Sequence, residues 1–207
     1  MKKSILSDVN SPADLKQLNS NALAQLSGEI ASHIKLVIEE HGGHYSSPLG
    51  VVDLTVALHY VYDSPKDKII WDVGHQAYAH KILTGRRDEF KTLRMKGGIS
   101  GFLKRDESPH DIFGAGHSST SISAALGFAH ARDMSKEKNQ VVAIIGDGAM
   151  TGGLAYEGMN NLGYHKTQLT IILNDNSHSI SKSVGALSHY LNRVVTNPTY
   201  NKMRKDI

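Results

Sequence analysis

Apolar residues recur at helical spacing at Leu23, Leu26, Ile30, Ile34, Val37 and Ile38, and Gly42-Gly43 follows them. That pattern predicts a half-buried helix stopped by glycine. Residues 1–19 show no comparable period and read as an irregular lead-in. A second helix is expected from Pro48, with Ser47 as N-cap and Pro48 at the first helical position. It carries Val52, Leu54, Val56, Ala57, Leu58 and Val61, an apolar run that predicts deep burial. Lys68-Ile69-Ile70-Trp71-Asp72 reads as a short strand, and residues 73–78 as a turn into another helix. The charged stretch 86–95 is expected to be helical, and residues 96–118, with five glycines, form a long loop. A connection of that length without its own structure is usually functional or mobile. Ser118-Ser119-Thr120-Ser121 is expected to cap a helix running to about Met134.

The pattern then changes period. Val141-Val142-Ala143-Ile144-Ile145 and Leu169-Thr170-Ile171-Ile172-Leu173 are short β-branched runs of the kind found in buried parallel strands. A glycine-rich helix over about 151–163 separates them, a further helix is expected over 183–195, and Asn197-Pro198 precedes a last short one. Strands alternating with helices predict an α/β fold, a mostly parallel sheet flanked by helices. Each central strand ends in a small polar cluster, Gly146-Asp147-Gly148-Ala149 and Asn174-Asp175-Asn176. The carboxyl edge of such a sheet is where ligands bind. Asp147 and Asn176 offer hard oxygen ligands, and Mg²⁺ takes one or two of these beside phosphate and water. Gly146 and Gly148 let backbone approach an anion, and the next helix offers its N-terminal N–H groups. A metal-bound phosphate or diphosphate is the expected ligand. The bland alternative is a tight strand-to-helix turn with Asp147 as its cap. A G-x-G-x-x-G frame from Gly146 ends on Thr151, and Gly153 is followed by Leu154-Ala155 rather than Lys-Ser/Thr, so neither better-known phosphate loop fits.

Composition narrows the classes without choosing among them. A chain of 207 residues can bury a substantial core and is expected to form one domain. Its net charge of +3 is spread without a basic block, which gives no footprint for nucleic acid or an anionic membrane. The chain has no cysteine, so disulfides and thiolate metal sites are excluded. No stretch is apolar enough for a membrane span, and the first residues lack a signal-peptide core, so a cytoplasmic protein is expected. His41 and His44 are separated only by two glycines, which argues against a zinc pair. Taken one at a time, His44, His75 and His117 read as capping or surface groups, but the joint placement of His75 and His117 in loops before helices favours a single site. His33, His59, His130, His165 and His189 read as structural or solvated, and Trp71 as core.

Several phrases taken together resemble a known family. Gly146-Asp147-Gly148, followed after a helix and a strand by Asn174-Asp175-Asn176, resembles the thiamine-diphosphate motif of transketolase-like enzymes. The finer likeness is to the 1-deoxy-D-xylulose-5-phosphate synthase family. It rests on Gly43-His44-Tyr45, residues 54–62, Ile70-Trp71-Asp72-Val73-Gly74-His75-Gln76-Ala77-Tyr78, residues 80–87, Gly116-His117-Ser118-Ser119-Thr120-Ser121, Ile180-Ser181 and Val184-Gly185-Ala186-Leu187. The resemblance runs from about residue 20 to 195.

The resemblance implies the transketolase-like thiamine-diphosphate-binding fold, with 20–207 as the diphosphate and Mg²⁺ domain. It implies that Asp147, Asn176 and the backbone carbonyl of His178 ligate Mg²⁺. Gly148 and Ala149 would meet the diphosphate through backbone. His75, Gly116, His117, Ser118 and Asn176 would bind the cofactor, and His44 and His75 would face the reacting carbon. The implied reaction condenses pyruvate with glyceraldehyde 3-phosphate and releases CO₂, at the head of isoprenoid, thiamine and pyridoxal biosynthesis. Pro48 and Ser177-His178 depart from the family's pattern. A backbone-carbonyl ligand tolerates the latter change. The implied partners are the family's second and third domains and a second copy in a homodimer. The glutamate that activates the aminopyrimidine lies in that second domain and resembles nothing in these 207 residues. The alternatives are another transketolase-like enzyme, a 2-oxoacid dehydrogenase component, or a non-catalytic Mg²⁺-diphosphate half that needs a partner chain.

Overall fold

The computed structural model describes residues 4–175. The helices expected after Ile180, together with Asn176, His178 and His189, lie outside the described residues.

Three strands form a parallel sheet in the order β1 (Lys68–Trp71), β2 (Val141–Gly146), β3 (Thr170–Asn174). The α/β expectation holds: helices flank a parallel sheet. Lys68 pairs with Val141 and Trp71 with Ile144; on the other side Val142 pairs with Thr170 and Gly146 with Asn174. Strand residues alternate between two faces, and each face has its own cover. Ile69, Trp71, Val142 and Ile144 pack with Val51 and Leu58, so that α4 (Val52–Val61) lies against one face. Ile70, Val141, Ala143 and Ile145 point the other way, toward Ile122, Ala125 and Ala129 of α6 (Ser121–Met134) and Ala155 of α7 (Gly153–His165). Both apolar runs were continuous for this reason: in a sheet covered on two faces every position is buried. The cover thins at β3, where Leu173 is 41% exposed.

A second core gathers around α2 (Ser20–His41), whose Leu26, Ile30, Ile34, Val37 and Ile38 are buried together. Asn19 caps its start by accepting the Ala22 N–H at 3.0 Å, and Gly42, at φ 76°, stops it. The lead-in is more ordered than its sequence pattern predicted. A 3-10 turn at Leu6–Asp8 and the one-turn α1 (Pro12–Leu15) place Leu6, Val9 and Leu15 in this same core. Ser11 and Asp14 form a reciprocal capping box, and Arg87 donates to the carbonyls of Leu6 and Ser7 at 2.7 and 3.0 Å.

Two further expectations are corrected. The helix predicted from Pro48 is divided: α3 (Ser46–Leu49) is a single turn, and α4 begins after Gly50. Val61, expected to be buried, is 67% exposed, while Thr55 and His59 take buried positions on the same helix. Residues 86–95 do not form a helix. After α5 (Tyr78–Lys81) the chain passes through a wider turn at Ile82–Arg86, with Gly85 at φ 93°, and then only a 3-10 turn at Phe90–Thr92. Among the described residues no helix is long and apolar enough to cross a membrane.

Candidate functional site

The ends of β1, β2 and β3 and the start of α6 meet at the carboxyl edge of the sheet, and Asp72 joins them. It is fully buried. Its N–H donates to the Ile144 carbonyl at 2.8 Å, continuing the sheet. Its own carbonyl accepts from the Gly74 N–H and the Gln76 side-chain amide. Its carboxylate accepts the N–H of Ser119 at 2.7 Å and of Ser121 at 3.0 Å, one on each oxygen. The start of α6 is therefore capped from β1. The local Ser/Thr cap expected at residues 118–121 is absent: Thr120, in the N-cap place, makes no side-chain cap hydrogen bond.

The turn after Asp72 is tightly wound. Val73 has φ 58° and Gly74 φ 85°. A β-branched residue at positive φ is an outlier that only a well-determined surrounding sustains. A Cβ on Gly74 would sit 2.8 Å from the Ala115 Cβ, so this crossing needs glycine. The turn delivers His75 beside His44, with ring centroids 4.9 Å apart and edge to face. Phe102 of the long loop lies against the His44 ring, at 6.1 Å. The Tyr78 hydroxyl accepts the His44 N–H at 3.3 Å and lies 3.4 Å from Nδ1 of the same residue. Burial lowers the pKa of both histidines. Arg94 adds to the effect at His44; at His75, His44 adds to it and Asp72 opposes it. Near pH 7 both rings are neutral, each with one donor and one acceptor nitrogen. The His75 Nδ1 is buried with no hydrogen-bond partner among the described residues.

The segment Gly116-His117-Ser118 is exposed at the same edge. The His117 ring is turned back on its own chain, with Nδ1 donating to the Ser118 carbonyl at 2.7 Å. Ser119 is buried and has φ 70°. Its hydroxyl donates to the Ala149 carbonyl at 2.7 Å. Gly152 makes this possible, since a Cβ there would lie 2.2 Å from the Ser119 Oγ. Asp147 follows β2, half-buried, and its N–H donates to the Asn174 carbonyl at 3.2 Å, so the ends of β2 and β3 are level.

A second buried polar group lies behind this edge and ties the long loop down. Arg86 holds both oxygens of Asp111, at 2.8 and 2.7 Å. His80 Nε2 lies 3.2 Å from Asp111 and its Nδ1 3.0 Å from His59 Nε2. Lys81 donates to Glu107 at 2.5 Å. Burial alone would raise the Asp111 carboxyl, but the hydrogen bonds from His80 and Arg86 outweigh it and hold the group below the usual carboxylate range. Burial, then the His80 ring and the Arg86 guanidinium, push His110 down to about 4, against the pull of Asp111.

Residues 6–207 match the family model described as 1-deoxy-D-xylulose-5-phosphate synthase. The chain belongs to that family. It is 62% identical over 203 residues to 1-deoxy-D-xylulose-5-phosphate synthase 1 of Geobacter metallireducens, covering 98% of this chain and 32% of that protein. It is 59% identical over 203 residues to the synthase of Desulfitobacterium hafniense, again covering 98% and 32%. The chain thus spans about a third of the length of these relatives. The structure is similar to that of transketolase from Campylobacter jejuni, with a TM-score of 0.71 at 18% identity, covering 84% of this chain and 32% of that one. That likeness is one of fold.

Of the site residues expected for a member of this family, the structure brings His44 and His75 into contact. It puts Gly116, His117, Ser118, Asp147, Gly148 and Ala149 at one sheet edge. Asn176 and His178 lie outside the described residues. Among the described residues no three His, Cys, Asp or Glu side chains gather as a metal cage. The expected Mg²⁺ set is of a different kind, one carboxylate with an amide and a carbonyl. Sequence reasoning missed Asp72, Ser119 and Tyr78. The signal for Asp72 was present: an acidic residue ending an apolar strand two positions before a glycine-histidine turn.

Proposed function

We propose that this chain supplies the diphosphate half of the active site of a thiamine-diphosphate-dependent carboligase. The enzyme would condense pyruvate with glyceraldehyde 3-phosphate to 1-deoxy-D-xylulose 5-phosphate, with loss of CO₂. The observation that carries the reading is the meeting of three parallel strand ends with the facing His44 and His75, in a chain of this family. The donors present fit the cofactor. Asp147 is a half-buried oxygen donor at a strand end, suited to Mg²⁺. Gly148 has open space where a Cβ would stand, so backbone there can approach a diphosphate. The unpartnered Nδ1 of His75 is a buried group that a bound molecule would satisfy.

In this reading Asp147, Asn176 and the His178 carbonyl hold Mg²⁺, while Gly148 and Ala149 contact the diphosphate. His75, Gly116, His117 and Ser118 line the cofactor. Bound there, the cofactor supplies an electron sink for decarboxylating a 2-oxo acid. The chain's own residues do the rest. Tyr78 occupies the Nδ1 side of His44 and leaves Nε2 to face the substrate. The neutral imidazoles of His44 and His75 can each donate to a substrate oxygen and pass a proton near pH 7. The reading includes a homodimer acting in the cytoplasm, residues 20–207 as the diphosphate domain, and further domains covering the aminopyrimidine end.

The test is Asp147→Asn, which removes the charged ligand and keeps the shape. Calorimetric titration with Mg²⁺ and thiamine diphosphate should show affinity lowered by more than about tenfold, with unchanged circular dichroism. Equal affinity in variant and parent refutes the metal assignment.

A further inference from the structure

We propose that Asp72 is a positioning residue for the diphosphate cradle: it holds Ser119 in left-handed backbone so that the Ser119 hydroxyl fixes the Ala149 carbonyl. The proposal rests on the reading of Gly148-Ala149 as backbone facing the diphosphate.

Three observations carry it. First, Asp72 is fully buried and both carboxylate oxygens are committed to the N–H groups of Ser119 and Ser121. The strand end is itself anchored through the Ile144 carbonyl, so these two donors are referred to the sheet. Second, Ser119 sits at φ 70°, a backbone conformation that is unfavourable for a non-glycine residue. A helix that needed only an N-cap would not require it, since a local Ser or Thr caps from extended backbone. At Ser119 the strained conformation turns one residue's N–H toward Asp72 and its hydroxyl toward Ala149 at 2.7 Å. Third, the loop on the far side is shaped to receive that hydroxyl. Gly152 leaves the space that a Cβ would fill at 2.2 Å from Ser119 Oγ and 2.9 Å from its Cβ. The carbonyl of Ala149 is thereby held, and the peptide plane that carries it is fixed with it. That plane carries the Met150 N–H, and through the Ala149 Cα it limits how the preceding plane, with the Ala149 N–H, can turn.

A capping role alone predicts something different from a positioning role, and a double-mutant cycle separates them. Ser119→Ala leaves both N–H groups on Asp72, and with them the cap of α6, but removes the hydroxyl. Asp72→Asn replaces one acceptor oxygen by an amide that faces an N–H donor. With the full chain, affinity for Mg²⁺ and thiamine diphosphate should fall about tenfold in each single variant, the size expected for one lost hydrogen bond to a charged or fixed group. The double variant should be no weaker than Asp72→Asn, because both changes break one path. Without ligand, the carbonyl ¹³C resonance of Ala149 should move in Asp72→Asn in the direction it moves in Ser119→Ala. If Ser119→Ala binds like the parent, or the Ala149 carbonyl is unmoved in Asp72→Asn, Asp72 is a cap only and the proposal is overturned. A parent chain that binds neither Mg²⁺ nor thiamine diphosphate instead defeats the site assignment. The ligand-free resonance still decides whether the brace exists.

Discussion

His44, His75 and His117 each follow a glycine, and by local pattern each is a surface or capping group. For His117 the structure keeps that description, since its ring is exposed and bonded to the next carbonyl. His44 and His75 depart from it, because Val73 and Gly74 wind the chain so that two rings far apart in sequence meet with their centroids 4.9 Å apart. Groups that act on charge developing during reaction affect the transition state more than the ground state. In the full-length enzyme, His44→Ala and His75→Ala should therefore lower kcat by about a hundredfold or more, with cofactor affinity reduced far less. Steady-state kinetics beside cofactor titration checks this split. Turnover near the parent's in both variants would return the two rings to capping. The resemblance pointed to these residues; for Asp72 the sequence shows an acidic strand end but not what that carboxylate holds, for a plain reason. Its partners Ser119 and Ser121 lie 47 and 49 residues further on. Capping rules look within four residues of a helix start, and no local rule finds a cap supplied by another element.

At the scale of elements, sequence pattern worked where one side of an element faces one core. The helix α2 and the strands β1 and β2 stand where period and β-branching put them. It failed over 86–95, a charged stretch expected to be helical that forms only a 3-10 turn. Two of those charges instead fix the chain: Arg86 grips Asp111 and Arg87 binds the lead-in's carbonyls. The long loop after it is pinned through Glu107 and Asp111, which gives it a pH dependence. The pKa values of His59, His80 and His110 are all lowered below the ordinary 6.5, by burial first; the His80 ring adds to the effect at His59 and His110, while Asp111 opposes it at His80. Below pH 6.5 the unfolded chain takes up protons that the folded chain does not, so stability falls with acidification. For His110 this window runs from 6.5 down to about 4. Asp111 is shifted down from 3.8, so its contribution is complete above that value and lost only as the pH falls beneath it. The two effects share a sign and follow one another. The urea midpoint should drop steadily from about pH 7 to about pH 5 and the slope should lessen in His110→Asn. A flat midpoint across that interval contradicts the account.

For the molecule as a whole, the sheet grades from a buried centre to a lightly covered side. All of Val141–Ile145 is buried, whereas Thr170 and Leu173 of β3 are exposed among the described residues, as are much of Tyr156 and Tyr164 on α7. The edge that holds the proposed diphosphate cradle lies at the ends of these same strands. The fold was legible because its strands are continuous apolar runs between helices. What a third of the relatives' length can do by itself was not, because catalysis by differential binding needs every group in place at once. In the proposed reading, the glutamate that would activate the aminopyrimidine belongs to a further domain. A cofactor held at its diphosphate end alone also keeps residual motion, and loses the preorganisation that brings reacting atoms together. The 207-residue polypeptide should therefore bind Mg²⁺ and thiamine diphosphate weakly and turn over neither substrate. Pyruvate decarboxylation is assayed with saturating cofactor, Mg²⁺ and glyceraldehyde 3-phosphate, using protein whose intact mass shows 207 residues and no companion chain. Turnover should be undetectable, and it should appear when the remaining two thirds of a close relative is added and captures the chain. A rate of about 1 per second or more from the chain alone would overturn this division of the site. It would require an activating acid among its own residues, and Glu157 on α7, in the crossover between β2 and β3, would then be the first to replace.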